Sequence, residues 1–153
     1  MCDICNTINK SLNGENTYFV KATKTGIVEL GWKQHFYGYP IFMLRQHEAE
    51  LYELAPDFQA DYLKEMVLVS KAAAKAFHAE KMNYECLGNG DTHLHFHLFP
   101  RKHGDLGEYG NNGKGPVWWL PQDIMWNDDN KPDDAELEKM KNLLYEALSE
   151  VGL

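Results

Sequence analysis

The run His93-Leu94-His95-Phe96-His97-Leu98-Phe99-Pro100-Arg101 constrains this chain more than any other stretch. Imidazoles alternate with large apolar side chains, which is the period of an extended strand with one face in a core. His93, His95 and His97 then share a face, neighbours about 6.5–7 Å apart, while Leu94, Phe96 and Leu98 point the other way. A strand that needs only a polar outer face has no use for the same titratable ring three times. Near neutral pH an imidazole attacks, shuttles a proton, donates to an anion or binds a metal. Three aligned rings therefore predict a working site. The middle ring, His95, suits nucleophilic attack, provided an acceptor holds its other ring nitrogen. The spacing alone serves equally a strand that supplies metal ligands at i and i+2.

The rest of the chain bounds what that site can serve. At 153 residues it is long enough for one domain, 1–153, with a real core. No stretch approaches the eighteen or so apolar residues that a membrane-spanning helix needs. The start, Met1-Cys2-Asp3-Ile4-Cys5-Asn6, has neither a basic beginning nor an apolar run, so a secretory signal is not expected. Three cysteines make no disulfide framework, and a reducing, cytoplasmic setting is the simplest expectation. A formal charge of −8 argues against nonspecific binding to a nucleic-acid backbone. A small phosphorylated ligand needs only a local cluster of donors, and Arg101, Lys102 and His103 follow the histidine run directly.

The order of elements predicts an α+β domain on a curved, mainly antiparallel sheet. Strands are expected at Tyr18-Phe19-Val20, at Ile27 to Leu30 and at Pro40 to Leu44, the last central and with its proline at the strand start. A helix from Pro56 to His78 carries one apolar stripe, Phe58, Tyr62, Met66, Val69, Ala73 and Phe77. Further strands follow at Tyr84 to Leu87 and His93 to Phe99. Residues 102–115 read as a loop, and Trp118-Trp119 as packing. Asp133 to Leu148 reads as a last helix with acid at its positive end. The residues beyond Trp119 form a C-terminal extension whose packing the sequence leaves open.

Smaller signals each have an ordinary alternative. Cys2-x-x-Cys5 suits a tetrahedral zinc with two histidines, His47 and His93 being the candidates. It also suits a redox pair, or two free thiols. Cys86, in an apolar stretch, reads as a small buried filler. Asn83 and Asn89 can donate to phosphate or sugar, or simply hold turns. His35 reads as a partly buried ring, and His78 as a helix-end cation.

These residues together resemble the histidine triad family. The key match is His93-Leu94-His95-Phe96-His97-Leu98-Phe99, supported by Asn83-Tyr84, Leu87-Gly88-Asn89, Pro100-Arg101 and the Cys pair. The wider pattern is similar to a bacterial, diadenosine-polyphosphate hydrolase-like branch, from Cys2 to about Trp119. The resemblance implies hydrolysis or nucleotidyl transfer at the α-phosphate of a dinucleoside polyphosphate or a nucleoside 5′-phosphoramidate. His95 would form a transient nucleotidyl-histidine, with His93 and His97 flanking it and Asn83, Asn89 and Arg101 meeting the substrate. It further implies a homodimer and one structural Zn2+ per chain, held by Cys2, Cys5, His47 and His93. Two departures touch ligand contacts. Tyr39 stands where the family pattern Pro-Gly-His has its histidine, and Asn89 stands where a glutamine is usual. Tyr39 is the best sequence support for the rival reading, a nucleotide-binding or regulatory protein with little turnover.

Overall fold

The computed structural model describes residues 2–107 and 109–153. Five antiparallel strands form one sheet in the order β1-β2-β3-β5-β4: β1 Phe19–Ala22, β2 Gly26–Leu30, β3 Pro40–Leu44, β4 Lys81–Glu85 and β5 His95–Arg101. The apolar strand β3 is the central one, and Pro40 opens it, where no ladder donor is lost.

One face of the sheet carries Val28, Leu30, Phe42, Leu44, Phe96 and Leu98 into the main core. The long helix α2, Pro56–Ala76, seals that face with Tyr62, Val69, Ala72, Ala73 and the following Phe77. Proline at the first helical turn and Asp57 beside it mark the start as expected. The helix stops earlier than the expected His78, which lies beyond the cap, exposed and with φ +54°. The C-terminal helix α4, Asp134–Glu150, packs beside α2 through Leu137, Met140, Leu144 and Leu148. Its N-cap is Asp133, whose carboxylate accepts the Glu136 N–H at 2.8 Å.

The opposite face holds the histidines between two covers. The N-terminal segment forms α1, Asp3–Leu12, which the sequence reading missed. Its apolar anchors Ile4 and Ile8 pack onto Ile27 and Met43. At the other end a second cluster joins Phe36, Tyr39, Phe99, Val117, Leu120 and Met125. The first part of the extension beyond Trp119 is therefore built into this face, while its last helix packs beside α2. Within the expected loop 102–115 a short helix α3 spans Tyr109–Gly113, while Glu108 lies outside the described residues.

Three further expectations are corrected. β4 begins at Lys81 rather than Tyr84 and ends at Glu85, because Lys81 to Glu85 pair with Arg101 to His97. Cys86 lies beyond that strand and is exposed, so it fills no core. β5 begins at His95, and His93 and Leu94 run just ahead of it, with Leu94 exchanging backbone hydrogen bonds with Leu44 and Glu48.

Candidate active site

His95 and His97 lie on one face of β5 with their Nε2 atoms 3.0 Å apart. His95 is buried, and its Nδ1 lies 2.6 Å from the carbonyl oxygen of His93. A carbonyl only accepts, so His95 Nδ1 carries the proton and its Nε2 is left as the nucleophilic nitrogen. The Nδ1 of His97 meets the hydroxyl of Tyr39. Burial, reinforced by the neighbouring His95, pushes His97 down to about 3, so this ring is neutral at physiological pH. Tyr39 is itself buried, and its phenol is held well above its usual range by that burial and by Glu29 and Glu85.

The two rings stand where two clefts meet. One, of 380 Å³, runs between α1 and the sheet and includes Glu29, Trp32, Tyr39, Asp91 and Trp126. The other, of 460 Å³, includes Asn89, Asp91, Trp118 and Gln122. Both have His95 and His97 in their walls. Trp118 sets its ring edge-on to His97 at 5.2 Å between centroids, and Trp126 leans on Trp118 at 5.1 Å. Across the sheet His97 is flanked by Glu85 on β4 and by Ile41 on β3, with Glu29 the next residue in that row. Burial raises the Glu29 carboxyl to about 7, against a 2.6 Å hydrogen bond that Asn16 Nδ2 donates to it. Glu85 Oε1 accepts the Val117 N–H at 2.8 Å, which ties the Trp118 segment to the sheet.

Not every residue expected from the sequence joins this group. Asn89 does, on the second cleft. Asn83 and Arg101 lie further along β4 and β5, around a different hollow with Lys81, Lys102 and His103. Arg101 is committed there: Nη1 donates to Asn83 Oδ1 at 2.6 Å and Nε to Asp105 at 2.9 Å. His35 packs edge-on against Phe36, and burial lowers its pKa. Glu29 and Asp91 were missed, and so was the position of Trp118. Glu29 alternates in phase with Ile27 and Gly31, but nothing in that pattern distinguishes a carboxylate facing a cleft from one facing water.

His93 takes a different course from its two neighbours. It is fully buried, and its Nδ1 lies 3.6 Å from Cys2 Sγ, 3.4 Å from Cys5 Sγ and 3.3 Å from His47 Nδ1. Cys5 Sγ lies 3.4 Å from His47 Nδ1, and all four ligand atoms fall within 4.8 Å of one another. A tetrahedral zinc would require edges of about 3.3 Å between nitrogens, 3.6 Å from nitrogen to sulfur and 3.8 Å between sulfurs. The donor set fits that ion. The other ring nitrogen of His93 donates to the Leu44 carbonyl at 2.7 Å, which fixes Nδ1 as the ligand atom. His95 and His97 are not part of this group.

No protein-family model matches the chain, and no curated protein matches it. Solved structures do. A histidine triad protein from Sinorhizobium meliloti is 25% identical with a TM-score of 0.70, over 84% of this chain and 87% of that one. One from Marinobacter aquaeolei is 23% identical with a TM-score of 0.69, over 88% and 90%. A zinc-bound histidine triad family protein from Mycobacterium smegmatis is 18% identical with a TM-score of 0.64, over 97% and 94%. The chain has the histidine triad fold.

Proposed function

We propose that this protein is a histidine triad nucleotide hydrolase or nucleotidyl transferase, close in chemistry to the diadenosine-polyphosphate hydrolases. It would cleave at the α-phosphate of a dinucleoside polyphosphate or nucleoside 5′-phosphoramidate. One observation carries the reading: His95 Nδ1 donates to the His93 carbonyl, which leaves the lone pair on Nε2 of a ring that borders both clefts. In-line attack by that nitrogen on phosphorus forms the P–N bond and releases the leaving group with the electron pair of the broken bond. Water then displaces the histidine and regenerates it. The charge that develops on the ring is steadied through Nδ1–H by the carbonyl.

The His97 Nε2–H rests against the nucleophile at 3.0 Å, where a phosphoryl or leaving-group oxygen arriving at His95 would meet it. Asn89 offers an amide to the phosphate from the second cleft, and Trp32 and Trp126 offer apolar area to a base in the first. Asn83 and Arg101 would act on a distal part of the ligand or on the fold rather than on the reacting phosphate. Cys2, Cys5, His47 and His93 would hold zinc, which when bound pins the N-terminus to the start of β5. The protein would work as a cytoplasmic homodimer, a state that light scattering measures directly.

The test is turnover of diadenosine tetraphosphate and adenosine 5′-phosphoramidate by wild type and by His95→Ala. The variant should lose at least about 10³-fold in kcat and keep its nucleotide affinity. Near-full activity of His95→Ala would remove the mechanism. Tight binding without turnover in the wild type would leave the binding-protein reading that the Tyr39 departure favours.

A further inference from the structure

We infer that Tyr39 is a positioning residue that locks His97 in the tautomer with its proton on Nε2, aimed at the reacting centre. The inference rests on the proposed function for its catalytic meaning, but its structural content stands apart from it.

Direction in a row of hydrogen bonds is settled from its ends. His95 Nδ1 must donate, because its partner is the His93 carbonyl. In the neutral pair that leaves His95 Nε2 as an acceptor, so the 3.0 Å contact with His97 Nε2 is filled by a proton on His97. His97 Nδ1 is then a bare lone pair, and the Tyr39 hydroxyl opposite it must donate. One orientation satisfies every atom: Tyr39 O–H to His97 Nδ1, His97 Nε2–H to His95 Nε2, His95 Nδ1–H to the His93 carbonyl. The opposite tautomer of His97 would leave two ring lone pairs facing each other at 3.0 Å.

The rest of the structure is built around holding that phenol still. The Tyr39 ring stacks on Phe99 at 4.3 Å between centroids. It also covers Gly31 so closely that a Cβ there would fall 2.2 Å from the ring. Its backbone is clasped by Gln34, whose Oε1 accepts the Tyr39 N–H and whose Nε2 donates to the Tyr39 carbonyl, each at 3.1 Å. Gly31 N–H adds a further bond to that carbonyl at 2.9 Å. A tyrosine that served only as apolar filler would not need its hydroxyl placed on an imidazole nitrogen.

The consequence is chemical. A neutral His97 with a fixed Nε2–H offers a phosphoryl or leaving-group oxygen a donor without first having to gain a proton. Free to interconvert, it would present a lone pair to that oxygen part of the time.

The test reads the tautomer directly, by long-range proton–nitrogen NMR on protein labelled with ¹⁵N-histidine, with His97 assigned by its loss in His97→Gln. The wild type should show His97 protonated at Nε2 and bare at Nδ1. Tyr39→Phe leaves His97 Nδ1 without its donor and removes the tether that keeps the ring against His95, so it should give a mixed tautomer, and should lower kcat on the two nucleotide probes by about 10- to 100-fold while KM changes less than about threefold. A wild-type His97 protonated at Nδ1 overturns the inference without any variant having to fold. A Tyr39→Phe protein that keeps the pure Nε2–H form overturns it too. Should the wild type turn over neither probe, the proposed function falls, and the spectrum still decides the role of Tyr39.

Discussion

At the scale of single residues, Glu29 and His97 make opposite demands on the protons around them. The carboxyl of Glu29 is raised by burial from 4.5 to about 7, so the folded state holds its proton more tightly than the unfolded chain does. Its contribution is complete below about pH 4.5 and lost as pH rises through 7, an effect of about 3 kcal/mol at about 1.4 kcal/mol per pH unit. His97, lowered to about 3 by burial and His95, works the other way and stabilises the fold as pH rises from 3 towards 6.5. Glu29→Gln should therefore raise the unfolding free energy at pH 8 and leave it nearly unchanged at pH 4.5. Urea titrations at the two pH values check this, and an equal effect at both would refute the buried acid. Gly31 belongs to the same neighbourhood, and Gly31→Ala should displace the Tyr39 ring. Its cost should be about 1–3 kcal/mol of stability, with loss of the Tyr39–His97 contact.

Elements were legible where apolar periodicity was dense. The alternation of β5, the apolar run of β3 and the stripe of α2 each buried most of the predicted side chains, with Ile41, Phe58 and Met66 half-buried. The helix α1 was missed although Ile4, Ile8 and Leu12 recur at helical spacing, because the segment is short and its other residues are mostly polar. Nor did Glu65 stand out on α2, although it organises the turn between β1 and β2. Its carboxylate accepts from Thr23 Oγ1 at 2.7 Å, Lys24 N at 3.2 Å and Thr25 N at 2.9 Å. Such bonds pair residues about forty positions apart, and no local pattern announces them. Glu65→Ala should cost about 3 kcal/mol or more by stranding those buried donors, as chemical denaturation would measure.

For the whole molecule, the group Cys2, Cys5, His47 and His93 brings together the N-terminal segment, the residues just after β3 and the start of β5. The ligand types, the Cys-x-x-Cys spacing and His47 and His93 as candidate partners among seven histidines were visible in the sequence, and the family resemblance implied the same four ligands. Bound metal should measure one ion per chain, and Cys5→Ser or His47→Ala should empty the site. Metal at a hundred times its Kd should raise the melting temperature by about 5–10 °C over the chelated protein. Burial, with Cys2 nearby, holds the Cys5 thiol above its usual range, so its proton must leave when metal binds. Zinc affinity should accordingly strengthen between about pH 6 and pH 8, as competition with a chelator would read.

The seating of tryptophans around the histidines gives the protein an optical handle. Trp32 and Trp126 border one cleft and Trp118 the other, whereas Trp119 is 60% exposed and borders neither. Three of the four indoles would thus change surroundings when a ligand fills the site, and the fourth would supply a steady background. Intrinsic emission should follow binding without a label, and Trp118→Phe should silence the part of the signal that comes from beside His97.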